Sequence, residues 1–270
     1  MGHGKLRKFA ENETFRCLLQ PDAAAILDKE PGSRLLRLKD HPIKGRWGGE
    51  MFENANPIVL ELGCGKGEYT IALAQRHPEL NFIGVDIKGA RLWKGAKFAT
   101  ENALPNVAFL RTRIEFIEAF FGPGEVQEIW LTFSDPQLHG SENSRLSSPL
   151  FLERYRKFLI PGGIIHLKTD SRFLHEYTKA VCKVNDLRIL ACGTDIYGDG
   201  DVYPAFVEEV LKVQTFYEKM FLEMGLPITY LAFRIDHEGP YAFPGDTFDK
   251  DHWLEAEGPR RSFSHQRSKQ

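Results

Sequence analysis

The run Ile58-Val59-Leu60-Glu61-Leu62-Gly63-Cys64-Gly65-Lys66-Gly67 constrains the fold of this chain more than any other segment. A short apolar stretch breaks into three alternating glycines and leads into helix-compatible sequence. Such a stretch, bounded by glycine, reads as a buried strand, and the glycines permit a tight turn and a close backbone approach to a ligand. A second apolar run, Asn81-Phe82-Ile83-Gly84-Val85, closes on Asp86 at a distance that suits a carboxylate accepting hydrogen bonds from a ribose. Together the two runs predict a cofactor loop on an α/β sheet. The blander alternative is a strand-to-helix turn with Asp86 as a helix N-cap.

The spacing separates two cofactor classes. A dinucleotide fingerprint requires G-x-G-x-x-G, with the pyrophosphate on the helix N-terminus, but Glu68 stands where its last glycine would be. NAD is therefore disfavoured. An E-x-G-x-G-x-G loop with an acid at the end of the next strand resembles motifs I and II of the S-adenosylmethionine-dependent methyltransferases, whose cofactor carries ribose and adenine but no phosphate.

From Pro57 onward apolar runs alternate with helical patterns. Strands are predicted near 58–62, 81–85, 107–110, 126–133, 163–168, 187–191 and 228–235, and helices near 67–76, 88–102, 114–120, 148–159, 171–184 and 207–224. Alternation of this kind predicts an α/β fold with a mostly parallel, doubly wound, seven-stranded sheet. Residues 1–56 read as a basic N-terminal extension with one or two short helices, 57–236 as the catalytic domain, and 237–270 as a partly ordered tail rich in Gly, Pro and charge.

A formal net charge of −2 argues against a wholly basic nucleic-acid binder, yet local clusters stand out: Lys5, Arg7 and Lys8; Arg34, Arg37, Lys39, Lys44 and Arg46; and Lys88, Arg91, Lys94 and Lys97. The last set, spaced three apart, lies along one side of a predicted helix whose other side carries Leu92, Ala96 and Phe98. A solvated helix face explains any single set; several on a near-neutral chain point to an anionic partner. The start lacks a signal-peptide apolar region and no run approaches membrane-spanning length, so a cytoplasmic protein is expected. Cys17, Cys64, Cys182 and Cys192 lack C-x-x-C spacing, so neither a metal nor disulfides are expected.

Ligands of such sheets gather at the carboxyl ends of the strands, where the predicted elements place Glu61, Asp86, Asp135 and Asp170. Glu61 could instead pair with a neighbouring base, and Asp170 could cap the helix that follows.

The segment Ile129-Trp130-Leu131-Thr132-Phe133-Ser134-Asp135-Pro136 resembles the F-[PS]-D-P signature of the bacterial tRNA (guanine-N7)-methyltransferase family. The resemblance continues through Arg145-Leu146, Phe151-Leu152-Glu153-Arg154-Tyr155, Gly162-Gly163-Ile164, Leu167-Lys168-Thr169-Asp170-Ser171 and the T-x-x-E of Thr215-Phe216-Tyr217-Glu218, and the opening Lys5-Leu6-Arg7-Lys8-Phe9 also looks like family members. It implies a Rossmann-like class I methyltransferase fold and methyl transfer from S-adenosylmethionine to N7 of guanine 46 in the tRNA variable loop. It further implies that Glu61, Gly63, Gly65, Gly67 and Asp86 serve the cofactor, that Asp135 is catalytic and binds the base, and that Asp170, Thr215 and Glu218 line the substrate side. Thr215 and Glu218 also fit a helix capping box.

The match departs from the family in two places: after the third strand, where Thr112-Arg113-Ile114 stands in place of a common acid or amide and no adenine contact is assigned, and in the loop after D-P. Members commonly follow D-P with Trp and several bases, whereas Gln137 to Ser144 precede the first base here, Arg145. The N-terminal segment and the 88–97 helix are expected to supply the tRNA attraction instead. Two rivals stay open: a methyltransferase of the same fold acting on another RNA or a small molecule, and a non-catalytic RNA-binding protein. Monomer and homodimer are equally compatible with the sequence.

Overall fold

The computed structural model describes residues 3–29, 36–198, 208, 210–211 and 213–257. The chain forms two compact units, Met1–Ile129 with Arg154–Pro161, and Trp130–Glu153 with Gly162–Gln270. The basic ends at 260–261 and 267–269, and Arg34, lie outside the described residues.

The first unit begins with helix α1 (His3–Asn12), strand β1 (Leu18–Leu19) and a small hairpin of β2 (Leu27–Lys29) and β3 (Leu36–Leu38). Then follow β4 (Ile58–Leu62), α2 (Glu68–Arg76), β5 (Asn81–Asp86), α3 (Gly89–Glu101), β6 (Val107–Arg111) and the beginning of β7 (Val126–Thr132). The strand order is β1-β6-β5-β4-β7, with the first four parallel. Every residue of β4 and β5 is buried, as strands covered on both faces require. Trp47, fully buried, stacks on Phe121 and donates its indole N–H to the Phe120 carbonyl at 2.8 Å.

The second unit continues β7 and adds α4 (Pro149–Tyr155), most of β8 (Leu159–Thr169), α5 (Arg172–Val184), β9 (Ile189–Gly193), α6 (Phe216–Glu223) and β10 (Thr229–Arg234). Its strand order is β7-β8-β10-β9, and β10 runs antiparallel to both neighbours. Trp130 lies flat on His166 with ring centroids 3.9 Å apart, and the Nδ1 of His166 is 2.8 Å from the Tyr230 hydroxyl. Residues beyond β10 pack back on α5: Phe248 meets Phe173 and Tyr177 edge-on, and Glu257 accepts from the Phe173 N–H at 3.2 Å.

All seven predicted strands form, and an eighth joins them. Leu18–Leu19 pairs with the outer edge of β6, the Phe109 N–H donating to the Cys17 carbonyl at 2.6 Å. Two residues are too few for a period, so only the tertiary demand of an unpaired edge makes this strand visible. The stretch Ile114–Ala119 is a 3-10 turn and not an α-helix. The predicted 148–159 helix stops at Tyr155, ahead of β8, which begins at Leu159. On α3 the buried stripe is Leu92, Ala96 and Ala99; Phe98, expected on that face, is exposed because it sits off the 3.6-residue stripe. No helix among the described residues is long and apolar enough to cross a membrane.

Candidate active site

In the first unit, the chain leaves β4 through a loop whose three glycines all adopt left-handed backbone angles, φ +83° at Gly63, +58° at Gly65 and +73° at Gly67. L-residues with side chains rarely hold such angles. The Gly63 and Cys64 N–H groups both donate to the Val85 carbonyl, at 2.8 and 3.1 Å, which folds the loop over the end of β5. A Cβ on Gly63 or Gly65 would meet nothing within 4 Å, so this side of the loop borders open space. A Cβ on Gly67 would lie 2.5 Å from the Phe109 ring, so packing behind the loop also demands glycine.

Two carboxylates brace this loop. Asp86, the last residue of β5, accepts from the Gly65 N–H at 3.0 Å with one oxygen and from the Lys88 N–H at 2.7 Å with the other. A carboxylate offers about four lone-pair directions, so Asp86 retains acceptor capacity for ribose hydroxyls. Glu61 is buried and accepts from the Thr70 N–H at 2.8 Å and from the Thr70 hydroxyl. It thereby satisfies an orphan donor in the first turn of α2 and places negative charge at that helix's positive end. Burial first, and then the charges of Glu61 and Asp86, push the Cys64 thiol well above its usual range. Open space beside glycines, a carboxylate with spare acceptor capacity and a helix N-terminus already met by Glu61 suit a nucleoside cofactor such as S-adenosylmethionine.

In the second unit, β7 ends in a loop under backbone strain. Phe133 and Gln137 both take φ of +51° without being glycine, and they flank Asp135 on either side. Such angles cost roughly 1–3 kcal/mol each and persist where the surroundings enforce them. Two contacts enforce them: the Phe133 N–H donates to the Lys168 carbonyl at 2.8 Å, and Asp135 Oδ1 accepts from the Gln137 N–H at 2.9 Å. Arg145 donates from Nε to the Pro136 carbonyl at 3.1 Å, with its guanidinium over the rings of Tyr177 and Phe173. Asp135 itself is exposed, and the hydroxyl of the adjacent Ser134 is buried without a hydrogen-bond partner among the described residues.

Behind this loop sits a buried ion pair. Lys168 of β8 and Glu218 of α6 are both fully buried, with Nζ 2.6 Å from Oε1. Lys168 also donates to the carbonyls of Val210 and Val213 at 3.2 and 3.0 Å, and Glu218 Oε1 accepts from the Tyr197 hydroxyl at 2.6 Å. Burial draws the Lys168 ammonium below its usual range, against the opposing pull of Glu218. Thr215 and Glu218 form a capping box, the Thr215 hydroxyl accepting from the Glu218 N–H and the Glu218 carboxylate accepting from the Thr215 N–H, each at 3.3 Å. A new helix therefore starts at Thr215, where the sequence suggested one continuous helix over 207–224.

The structure thus assembles Glu61, Gly63, Gly65, Gly67 and Asp86 around one loop, while Lys168 holds Phe133, two residues before Asp135, with its carbonyl and Glu218, the capping-box partner of Thr215, with its ammonium. Asp170 directly follows β8, and the cap of α5 falls to Ser171, whose hydroxyl accepts from the Leu174 N–H at 3.1 Å. Arg145 is buried, so it is a brace for the Pro136–Gln137 turn and not a surface base. Sequence reading missed Thr70 and Lys168. The signal for Lys168 was its place in the apolar end of a strand, the part of Leu159–Thr169 that is buried and where a charge requires a partner.

A family model described as "Putative methyltransferase" matches residues 55–230. The tRNA (guanine-N(7)-)-methyltransferase of Bacteroides thetaiotaomicron is 44% identical over 262 residues, 97% of this chain and 98% of that protein. The protein of the same name from Christiangramia forsetii is 48% identical over 232 residues, 86% and 97% of the two chains. Among solved structures, the 16S rRNA methyltransferase KamB superposes with a TM-score of 0.50 at 16% identity, covering 74% of this chain and 96% of that one. At that identity the likeness concerns the fold alone.

Proposed function

The chain belongs to the tRNA (guanine-N7)-methyltransferase family, and from that premise we propose which residues carry the reaction and which guanine receives the methyl group. The activity is transfer of a methyl group from S-adenosylmethionine to N7 of a guanine in tRNA. When bound, the cofactor supplies a methyl on a sulfonium, already activated for displacement. We assign its ribose to Asp86 and its remaining main-chain cradle to Gly63, Gly65 and Gly67, with Glu61 fixing the helix that starts behind the loop.

Guanine N7 is a bare lone pair on the purine edge, so no proton has to leave before it attacks. The protein's task is alignment, a contribution on the order of several kcal/mol. Asp135 is assigned that task. Its Oδ1 holds the Gln137 N–H, which leaves Oδ2 to accept from guanine N1–H and N2–H and to favour the positive charge that develops on the base. Adenine offers no such donor pair. Ser134, whose buried hydroxyl has no hydrogen-bond partner among the described residues, directly precedes Asp135 in the chain. Asp170, Thr215 and Glu218 are assigned to the substrate side, the last two by fixing where α6 begins. The reading places the enzyme in the cytoplasm, with tRNA.

The observation that carries these assignments is the strained presentation of an exposed Asp135 in a chain of this family. We further propose guanine 46 of the variable loop as the target. Transcripts that differ only by guanine or adenine at position 46 test this: methyl incorporation is expected in the first and not in the second. Equal incorporation into both would move the target elsewhere.

A further inference from the structure

Within the first unit, positive charge gathers on two packed helices. α1 carries Lys5, Arg7 and Lys8 against Glu11, and residues 88–101 carry Lys88, Arg91, Lys94 and Lys97 against Glu101, on a chain whose net charge is −2. The helices are joined by specific contacts. The Asn12 amide donates to the Gly89 carbonyl at 3.0 Å, and the Trp93 indole donates to Glu11 at 2.6 Å. The Phe9 ring packs where a Cβ on Gly89 would come within 3.0 Å of it. The N-terminal segment is therefore a fixed part of this surface.

The bases on it fall into two groups. Arg7, Lys94 and Lys97 are paired with Glu11, Glu68 and Glu101 at 3.6, 3.0 and 3.4 Å. Lys5, Lys8, Lys88 and Arg91, with Arg111 of β6, have no carboxylate within ion-pair distance among the described residues. Aromatic rings hold several of them in place: Phe9 carries Lys5 at 5.9 Å and Arg111 at 5.2 Å, and Trp93 carries Lys8 at 4.5 Å and Lys97 at 5.4 Å. Like charges gathered in this way repel, and cation–π contacts offset only part of that cost. The ridge also starts at the cofactor loop, since the Lys88 N–H donates to Asp86.

We propose that Lys5, Lys8, Lys88, Arg91 and Arg111 form the docking ridge for the phosphate backbone of the tRNA. The inference rests on the functional reading above and extends it to the surface that holds the substrate. A polyanion with one phosphate per nucleotide matches a row of fixed, uncompensated cations. The paired bases contribute less, because each must first give up its carboxylate.

The test uses the full chain and a labelled tRNA transcript, with affinity followed across a salt series. Lys5→Ala/Lys8→Ala/Arg91→Ala should flatten the slope of log affinity against log salt by about 2–3, and weaken binding roughly 100-fold at physiological salt. Lys94→Ala/Lys97→Ala should flatten it by less than one, and S-adenosylmethionine affinity should hold in both. Because repulsion is relieved, the triple variant should unfold no earlier than wild type. If it does unfold earlier, Arg91→Ala alone carries the test, at roughly 0.7–0.9 of slope. An unchanged slope in a protein that methylates tRNA, or an equal loss in the paired control, overturns the ridge. Wild type that binds tRNA along the ridge yet transfers no methyl group would overturn the functional reading and leave the ridge standing.

Discussion

Replacing Glu218 by Gln removes the counter-charge of the buried pair with Lys168 while keeping the size of the side chain. Glu218 accepts from Lys168 and Tyr197 with Oε1 and from the Thr215 N–H with Oε2, and Gln has one acceptor oxygen, so the variant loses the counter-charge of an ammonium that has no exposure to solvent together with one side of this hydrogen bonding. At the observed 2.6 Å, Coulomb attraction at an effective dielectric of about 20 is roughly 6 kcal/mol. Desolvation of both groups offsets much of that, and removing one partner of such a pair costs about 3–5 kcal/mol, because the survivor is left buried and charged. Against a usual total of about 5–15 kcal/mol the variant should fold but with a much lower urea midpoint. Adding Lys168→Met should recover part of the loss, so that the double variant is less destabilised than the two single changes together. The deficit of Glu218→Gln should also resist 1 M salt, since solvent does not reach the pair. A change within about 0.5 kcal/mol, or one that salt erases, would refute the argument that burial sets the strength of this contact.

Three further outcomes follow from the same geometry. His175 is fully buried, and burial, helped by the charges of Arg172 and Lys179 and opposed by Glu176, holds its imidazole down to about 4. The unfolded chain takes up that proton near pH 6.5 and the folded chain only near 4, so stability is complete above 6.5 and falls by roughly 3 kcal/mol on acidification through that window; unfolding midpoints of His175→Leu should show a shallower acid limb. Gly67→Ala should cost both stability and cofactor affinity, since its Cβ meets the Phe109 ring at 2.5 Å and its φ is +73°; circular dichroism melts and calorimetry report the two losses. Asp86→Ala should weaken S-adenosylmethionine by roughly 1.5–3 kcal/mol in a calorimetric titration, and unchanged affinity would move the ribose contact elsewhere.

The cofactor loop was legible in the sequence because its constraints are local: a fully buried strand, glycines that need left-handed angles, and an acid at the end of the next strand all lie within 30 residues. Asp135 was legible as a motif, but its strain was not, since the φ of Phe133 and Gln137 is enforced by Lys168 and by the turn itself. The start of α6 was hidden because Val210, Val213 and Phe221 continue the apolar pattern on both sides of Thr215, and only the capping box and the pull of Lys168 on two carbonyls break it. Arg145 read as the first base after a polar loop, and its burial was not legible. The rings that enclose it, Phe173 and Tyr177, come from a helix nearly 30 residues away. Of the paired bases on α1 and α3, Arg7 with Glu11 and Lys97 with Glu101 have the i,i+4 spacing that a helix brings together, whereas Lys94 was not legible as paired because Glu68 comes from another helix.

Transfer of labelled methyl from S-adenosylmethionine to bulk tRNA, with the product nucleosides separated by mass, is the most direct test of the central claim. Wild type should yield 7-methylguanosine as the sole labelled nucleoside, and Asp135→Ala should yield none while keeping its cofactor affinity and its denaturation midpoint. Label in another nucleoside, or full turnover by the folded Asp135→Ala variant, would contradict the account.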